Sequence, residues 1–155
     1  MQDREDRFDR FSQAIFEIWR SWHKIAGDEL EKHGLKGAYV AYLKTLQRHP
    51  NGITAVELGR ACYKDKADVS RTLSTLESRG LIRRENDGQG VYRARLFLTE
   101  EGERIASEIN KRAILAVELG GSGLSEDQRE MMYLALERIS ANLRALSEQG
   151  VPEHK

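Results

Sequence analysis

The sequence predicts a mainly α chain of the α+β class, in which two short helices and a β-hairpin are flanked by long amphipathic helices. Three observations predict it. Apolar residues recur every three or four positions at both ends of the chain, N-capping signatures open two short helices near its middle, and an alternating stretch with a glycine-bearing tip follows them.

The first element runs from about Asp6 to Lys32. Phe8, Phe11, Ile15, Ile18, Trp19, Trp22, Ile25, Ala26 and Leu30 fall on one stripe of a helix. Gly34, which tolerates a positive φ, ends it. A helix of that length spans roughly 40 Å, more than so small a chain can cover with its own core, so the stripe calls for a second copy. A shorter helix, Lys36 to Arg48, turns Ala38, Val40, Ala41, Leu43 and Leu46 inward. His49-Pro50-Asn51-Gly52 is a turn. Thr54 and Glu57 form a capping box for a helix ending near Cys62, with Val56, Leu58 and Ala61 inward.

Asp65 caps the next helix, Lys66 to Arg79, whose Val69, Leu73 and Leu76 share one face. Gly80 closes it. Leu81 to Arg84 and Val91 to Leu98 read as two strands joined by the polar tip Glu85–Gly90, with Ala94, Leu96 and Leu98 on one face and Arg93, Arg95 and Phe97 on the other. Thr99 caps a long helix, Glu100 to Leu119, with Ile105, Ile109, Ala113, Leu115 and Val117 inward. After Gly120-Gly121-Ser122-Gly123, a Ser125/Gln128 capping box opens a last helix carrying Met132, Leu136, Ile139, Leu143 and Leu146.

Length and composition narrow the function classes. The 155 residues suit one domain with helical extensions, and the chain is 39% hydrophobic and 32% charged. No apolar run approaches the ~20 residues of a membrane span. The charged N-terminus has no apolar segment of the secretory kind, and a single cysteine, Cys62, suits a reducing compartment; the cytoplasm is the expected location. Basic and acidic residues balance at 25 each, yet Arg48–Leu98 holds ten basic against six acidic ones, so the middle is +4 and the rest −4. Such separation offers phosphate one docking face.

Short helix, tight turn, helix, glycine, strand, polar tip and strand, in that order, make a winged helix-turn-helix flanked by long N- and C-terminal dimerisation helices. The expected division is 1–35, 36–99 and 100–155. A major groove admits one helix, whose outward side chains must be short, polar or cationic. Lys66, Asp68, Ser70, Arg71, Thr72, Ser74 and Thr75 meet that need, with Lys64 in the turn before them. The hairpin adds Arg83, Arg84, Gln89, Arg93 and Arg95 as candidate wing contacts to backbone or minor groove.

The residues Gly34-Leu35, Ile53-Thr54-Ala55-Val56-Glu57-Leu58, Asp65 to Arg71, Leu76 to Arg84 and Leu98-Thr99-Glu100-Glu101-Gly102 resemble the multiple antibiotic resistance regulator (MarR) family. The resemblance is most specific over Gly34–Gly102, and the long helices extend it to nearly the whole chain. It implies a homodimeric, triangular, mostly helical protein with interlocked terminal helices and two recognition helices in successive major grooves of double-stranded DNA. It also implies a transcriptional regulator, more often a repressor, released by a small ligand or oxidant. One departure stands out: the Asp-x-Arg pattern common at the family's wing tip is replaced by Asn86-Asp87-Gly88-Gln89-Gly90, leaving Gln89, Arg93 and Arg95 to make the wing contacts.

Other chemistries find less support. Cys62 follows Ala61 at the end of a helix and reads as a packing residue rather than a redox switch. His23, His33, His49 and His154 have no ligand spacing, so neither metal nor cofactor is expected, and no nucleophile or phosphate-loop motif suggests an enzyme. Trp19, Trp22, His23, Tyr39 and Tyr42 form a candidate pocket for a small aromatic effector, set against their reading as dimer core. The rival function is a winged-helix protein-interaction module that never touches nucleic acid; steep salt dependence of duplex binding separates the two.

Overall fold

A computed structural model describes residues 2–86 and 94–152. The chain divides into two compact units, residues 1–116 and 117–155.

The first unit opens with helix α1, Gln2–Glu31, longer at its start than the sequence suggests. Of its predicted stripe only Ala26 and Leu30 are buried, while Phe8, Phe11, Ile15, Ile18, Trp19 and Ile25 are exposed. Gly34 takes the expected positive φ, +66°. The single helix expected from Lys36 is instead a 3₁₀ turn, Gly37–Tyr39, leading into α2, Val40–Gln47. Packing explains the tighter first turn: Gly37 crosses Gly27 of α1 so closely that a Cβ on Gly37 would lie 3.0 Å from the Gly27 Cα. Ala38 consequently faces solvent, and Tyr42 takes a place in the core beside Leu43 and Leu46.

The Thr54/Glu57 capping box opens α3, Ala55–Cys62. Leu58 and Cys62, four residues apart, face inward, which turns Val56, two residues from Leu58 and so on the far side, out to solvent. Ala61 is exposed as well, so two of the three residues expected inward on this helix are not. Asp65 accepts the Asp68 backbone N–H at 2.8 Å and starts α4, Lys66–Ser78, with Val69, Leu73 and Leu76 buried as expected and Thr72 buried beside them.

The sheet holds one strand more than the expected hairpin. β1, Ile53–Thr54, β2, Ile82–Glu85, and β3, Arg95–Leu98, pair antiparallel in the order β1-β3-β2, with Ile53 opposite Leu96 and Arg83 opposite Phe97. Leu96 and Leu98 close the core from β3, while Arg95 is exposed on the other face, as alternation predicts.

The Thr99 hydroxyl accepts the Gly102 N–H at 3.1 Å and donates to the Gly80 carbonyl at 2.6 Å, starting α5, Glu100–Gly120, against the end of α4. Gly102 has no room for a side chain, since a Cβ there would stand 2.1 Å from the Leu81 carbonyl oxygen. Ile105, Ala106, Ile109 and Ala113 are buried, but Leu115 and Val117 are not, because the core ends at Ala113. In the second unit the Ser125/Gln128 box forms as expected and opens α6, Glu126–Gln149, and Arg129 donates to the Gly121 carbonyl at 2.7 Å. No residue of α6 is buried, Met132, Leu143 and Leu146 included.

Candidate nucleic-acid interface

Helix α4 has two chemically distinct sides. Val69, Thr72, Leu73 and Leu76 bind it to the core, and the opposite side carries Lys66, Ala67, Ser70, Arg71 and Ser74 in the open. Those positions recur at intervals of three or four and make one continuous stripe of short or cationic side chains. The Arg71 side chain is 73% exposed. Thr75 is half-buried and donates to the Arg71 carbonyl at 3.1 Å.

Two sequence-predicted members of the outward surface lie elsewhere. Thr72 is buried, because it precedes Leu76 by one helical turn and shares its face. Asp68 is half-buried and accepts a hydrogen bond from the Tyr42 hydroxyl at 2.8 Å. Sequence reasoning missed this link between α2 and α4. Its only signal was that Tyr42 stands four residues before buried Leu46 and is therefore drawn into the core rather than toward an effector pocket. Burial, with the Asp68 hydrogen bond second, pushes the Tyr42 phenol above its ordinary pKa, so the hydroxyl remains a donor.

Beside α4 lies a cavity of about 720 Å³ between α3, the start of α4 and the sheet. Ala55, Val56, Gly59, Val69, Leu73 and Ala94 give it an apolar lining; Arg60, Lys64, Lys66 and Arg84 ring it with positive charge, and no acidic residue is among its described walls. Tyr63 stands at its edge, 92% exposed and with φ +53°, a left-handed conformation uncommon for an aromatic residue. Arg60 and Tyr63 were not singled out from the sequence. The turn between two helix-turn-helix helices was the signal available, since both flank it.

The wing residues are tied to their neighbours. Arg83 packs over the Phe97 ring at 4.6 Å and pairs with Glu85. Arg84, on the other face of β2, donates to Glu77 of α4 at 2.7 Å. Arg95 donates to the carbonyls of Asn51 and Gly52 at 3.2 and 3.1 Å, closing the turn before β1 rather than reaching outward. Gln89 and Arg93 lie outside the described residues, as does His154.

The five aromatic-pocket candidates differ in their surroundings. Trp19 is exposed and packs on His23 with ring centroids 4.0 Å apart, Trp22 and Tyr39 are half-buried, and Tyr42 is core; none of the five is among the described residues that line the cavity beside α4. The Cys62 thiol is buried, donates to the Thr45 hydroxyl at 3.5 Å and is pushed above its ordinary pKa by burial, the reverse of a reactive thiolate. Among the described residues no three His, Cys, Asp or Glu side chains converge on a metal position, and no helix is long and apolar enough to cross a membrane.

Known proteins share this arrangement. The MarR family model matches residues 33–90. Transcriptional regulator HosA of Escherichia coli O111:H- is 35% identical over 91 residues, 58% of this chain and 67% of that protein. A MarR transcriptional regulator from Methanosarcina mazei Go1 superposes with a TM-score of 0.77 at 25% identity, over 89% of this chain and 92% of its own. The structure of the Staphylococcus aureus MepR–DNA complex superposes with a TM-score of 0.71 at 25% identity, over 86% and 96% of the two chains. Two thirds of a curated relative, matched at this identity, and a shared fold through the long helices establish that the chain belongs to the MarR family of transcriptional regulators.

Proposed function

We propose that the protein is a sequence-specific, double-stranded-DNA-binding transcriptional regulator that works as a homodimer. Residues 36–99 form its DNA-binding part, and residues 1–35 and 100–155 its dimerisation helices. The observation that carries the reading is the outward stripe of α4: Lys66, Ser70, Arg71 and Ser74 on a helix whose other side is fixed to the core. Short side chains let the backbone approach base edges, Arg71 supplies a bidentate donor for a guanine edge, and Lys64 and Lys66 lie where phosphates flank the groove. The fold shared with MepR, which has been captured with DNA, supports the same docking. Work on DNA supports a cytoplasmic location.

Full-length protein titrated with a labelled duplex tests this. The logarithm of the affinity falls steeply and linearly with log salt if phosphates are engaged. Arg71→Ala costs about 1–3 kcal/mol on a preferred duplex and relaxes sequence preference if the guanidinium reads a base. Equal loss on every duplex makes Arg71 a phosphate contact, and an absence of duplex affinity in dilute buffer leaves the protein-interaction module as the reading.

The regulator acts as a repressor released by a small aromatic acid. The cavity beside α4 favours this, because its apolar walls suit a ring, Arg60 and Lys64 at its edge suit a carboxylate, and Lys66 and Ser70 are common to cavity and recognition surface. An occupant there shifts the protein away from its DNA-competent state by its difference in affinity for the two. Aromatic acids should raise the melting temperature and release bound duplex; a panel that does neither removes the effector from the account.

A further inference from the structure

We infer that Tyr42, a core residue, is a positioning residue for DNA readout: it holds Asp68 so that the Asp68 carboxylate aims Arg71. This rests on the reading of α4 as the recognition helix.

The third helical residue after an N-cap ordinarily sends its acidic or amide side chain back to the cap. Glu57 does so in α3 and Gln128 in α6, each accepting the backbone N–H of its cap residue at 2.9 Å. Asp68 occupies the same position in α4, three residues after the Asp65 cap, and no such return bond forms. Its carboxylate is drawn away instead. Oδ2 accepts the Tyr42 hydroxyl at 2.8 Å, and Oδ1 faces the Arg71 guanidinium at 3.8 Å.

Tyr42 is 1% exposed, so its ring has no freedom to follow a wandering carboxylate; the carboxylate must come to it. Arg71 has the opposite character, a long exposed side chain with many rotamers to lose when it docks. A fixed negative charge one helical turn before it narrows those rotamers in advance, which favours the preferred duplex over others without adding a contact. The tether therefore belongs to discrimination rather than to bulk affinity. Tyr42→Phe removes only the hydroxyl and leaves the ring in the core, whereas Asp68→Asn keeps an acceptor for the phenol and removes the charge that Arg71 faces.

The test uses full-length protein, a duplex enriched by it from a random-sequence library, and a scrambled duplex of equal length. Tyr42→Phe and Asp68→Asn each weaken the enriched duplex by roughly fivefold and leave the scrambled one within about twofold, with circular dichroism unchanged. In an Arg71→Ala background neither substitution has a further effect. If Arg71→Ala is itself impaired but Tyr42→Phe adds its full loss on top, Tyr42 merely packs α2 against α4 and the inference is overturned while the recognition helix stands. If Arg71→Ala binds the enriched duplex like the wild type, both fall. Should Tyr42→Phe fail to fold, Asp68→Asn decides alone: enriched-duplex binding unchanged by it overturns the inference.

Discussion

Leu73 in α4 and Leu143 in α6 both sit in apolar periodicities of three and four residues, yet Leu73 is 1% exposed and Leu143 52% exposed. The same contrast separates whole regions. The winged lobe, from α2 to the start of α5, closes a core around Leu43, Leu58, Leu76 and Leu96. The first two thirds of α1 and, within its own unit, α6 carry exposed apolar side chains and no buried ones among the described residues. A helix of 24 residues with no buried face is marginal in water, and fully covering a Leu or Phe side chain is worth about 1.5–3 kcal/mol. Periodicity reports that a face needs covering. It does not report whether the cover comes from the same chain.

The largest expected effect separates the two kinds of burial. Leu73→Ala opens a cavity in the lobe and should cost about 2–5 kcal/mol at every protein concentration in urea unfolding. Leu143→Ala should act through the proposed dimer, so its cost should be small at concentrations where the wild type is dissociated and grow as concentration rises and the wild type pairs. A concentration-independent loss for Leu143→Ala would break the comparison. Next, Gly102→Ala forces a methyl against the Leu81 carbonyl and should destabilise by about 1–3 kcal/mol, measured the same way. Wild-type stability would mean that α5 shifts freely on the lobe.

Capping gives a smaller and sharper contrast. Thr54→Ala should cost about 1 kcal/mol by removing the α3 cap. The lobe's caps also titrate. The Thr54 backbone N–H, then its hydroxyl, hold Glu57 below its ordinary pKa, and the Asp68 backbone N–H does the same for Asp65. Both carboxylates thus contribute stability that is complete above their ordinary values, near pH 4, and lost as pH falls through the depressed ones. The α6 box, Ser125 with Gln128, carries no titrating group. Glu57→Gln should keep the α3 box and flatten part of the acid limb of the pH–stability curve; an unchanged limb would place the acid sensitivity elsewhere. The smallest effect concerns Cys62. Its buried, protonated thiol should react with iodoacetamide far more slowly in the folded protein than in urea. Rapid native alkylation that also releases DNA would restore the redox reading.

Capping residues, glycines and four-residue spacings made the lobe legible: Thr54, Asp65, Thr99 and Ser125 all cap the helices the sequence assigns to them. The outward set Ser70, Arg71 and Ser74 was legible for the same reason. What escaped depends on contacts distant in sequence. β1 exists because Ile53 finds Leu96, 43 positions on, and two residues of strand carry no periodicity to detect. Asp68 looked like a solvated charge because Tyr42 lies 26 positions away. Arg95 alternates outward as expected, but the carbonyls it meets belong to a turn more than 40 residues earlier. Local rules place a side chain on a face; only the fold supplies what stands opposite.

Sedimentation velocity of the full-length protein with a labelled duplex, followed from dilute buffer into high salt, bears on the central claim more directly than any substitution. Two chains should move with each duplex in dilute buffer, with the duplex released as salt rises and the paired chains staying together. A duplex that sediments alone in dilute buffer, or that carries a single chain, contradicts that claim.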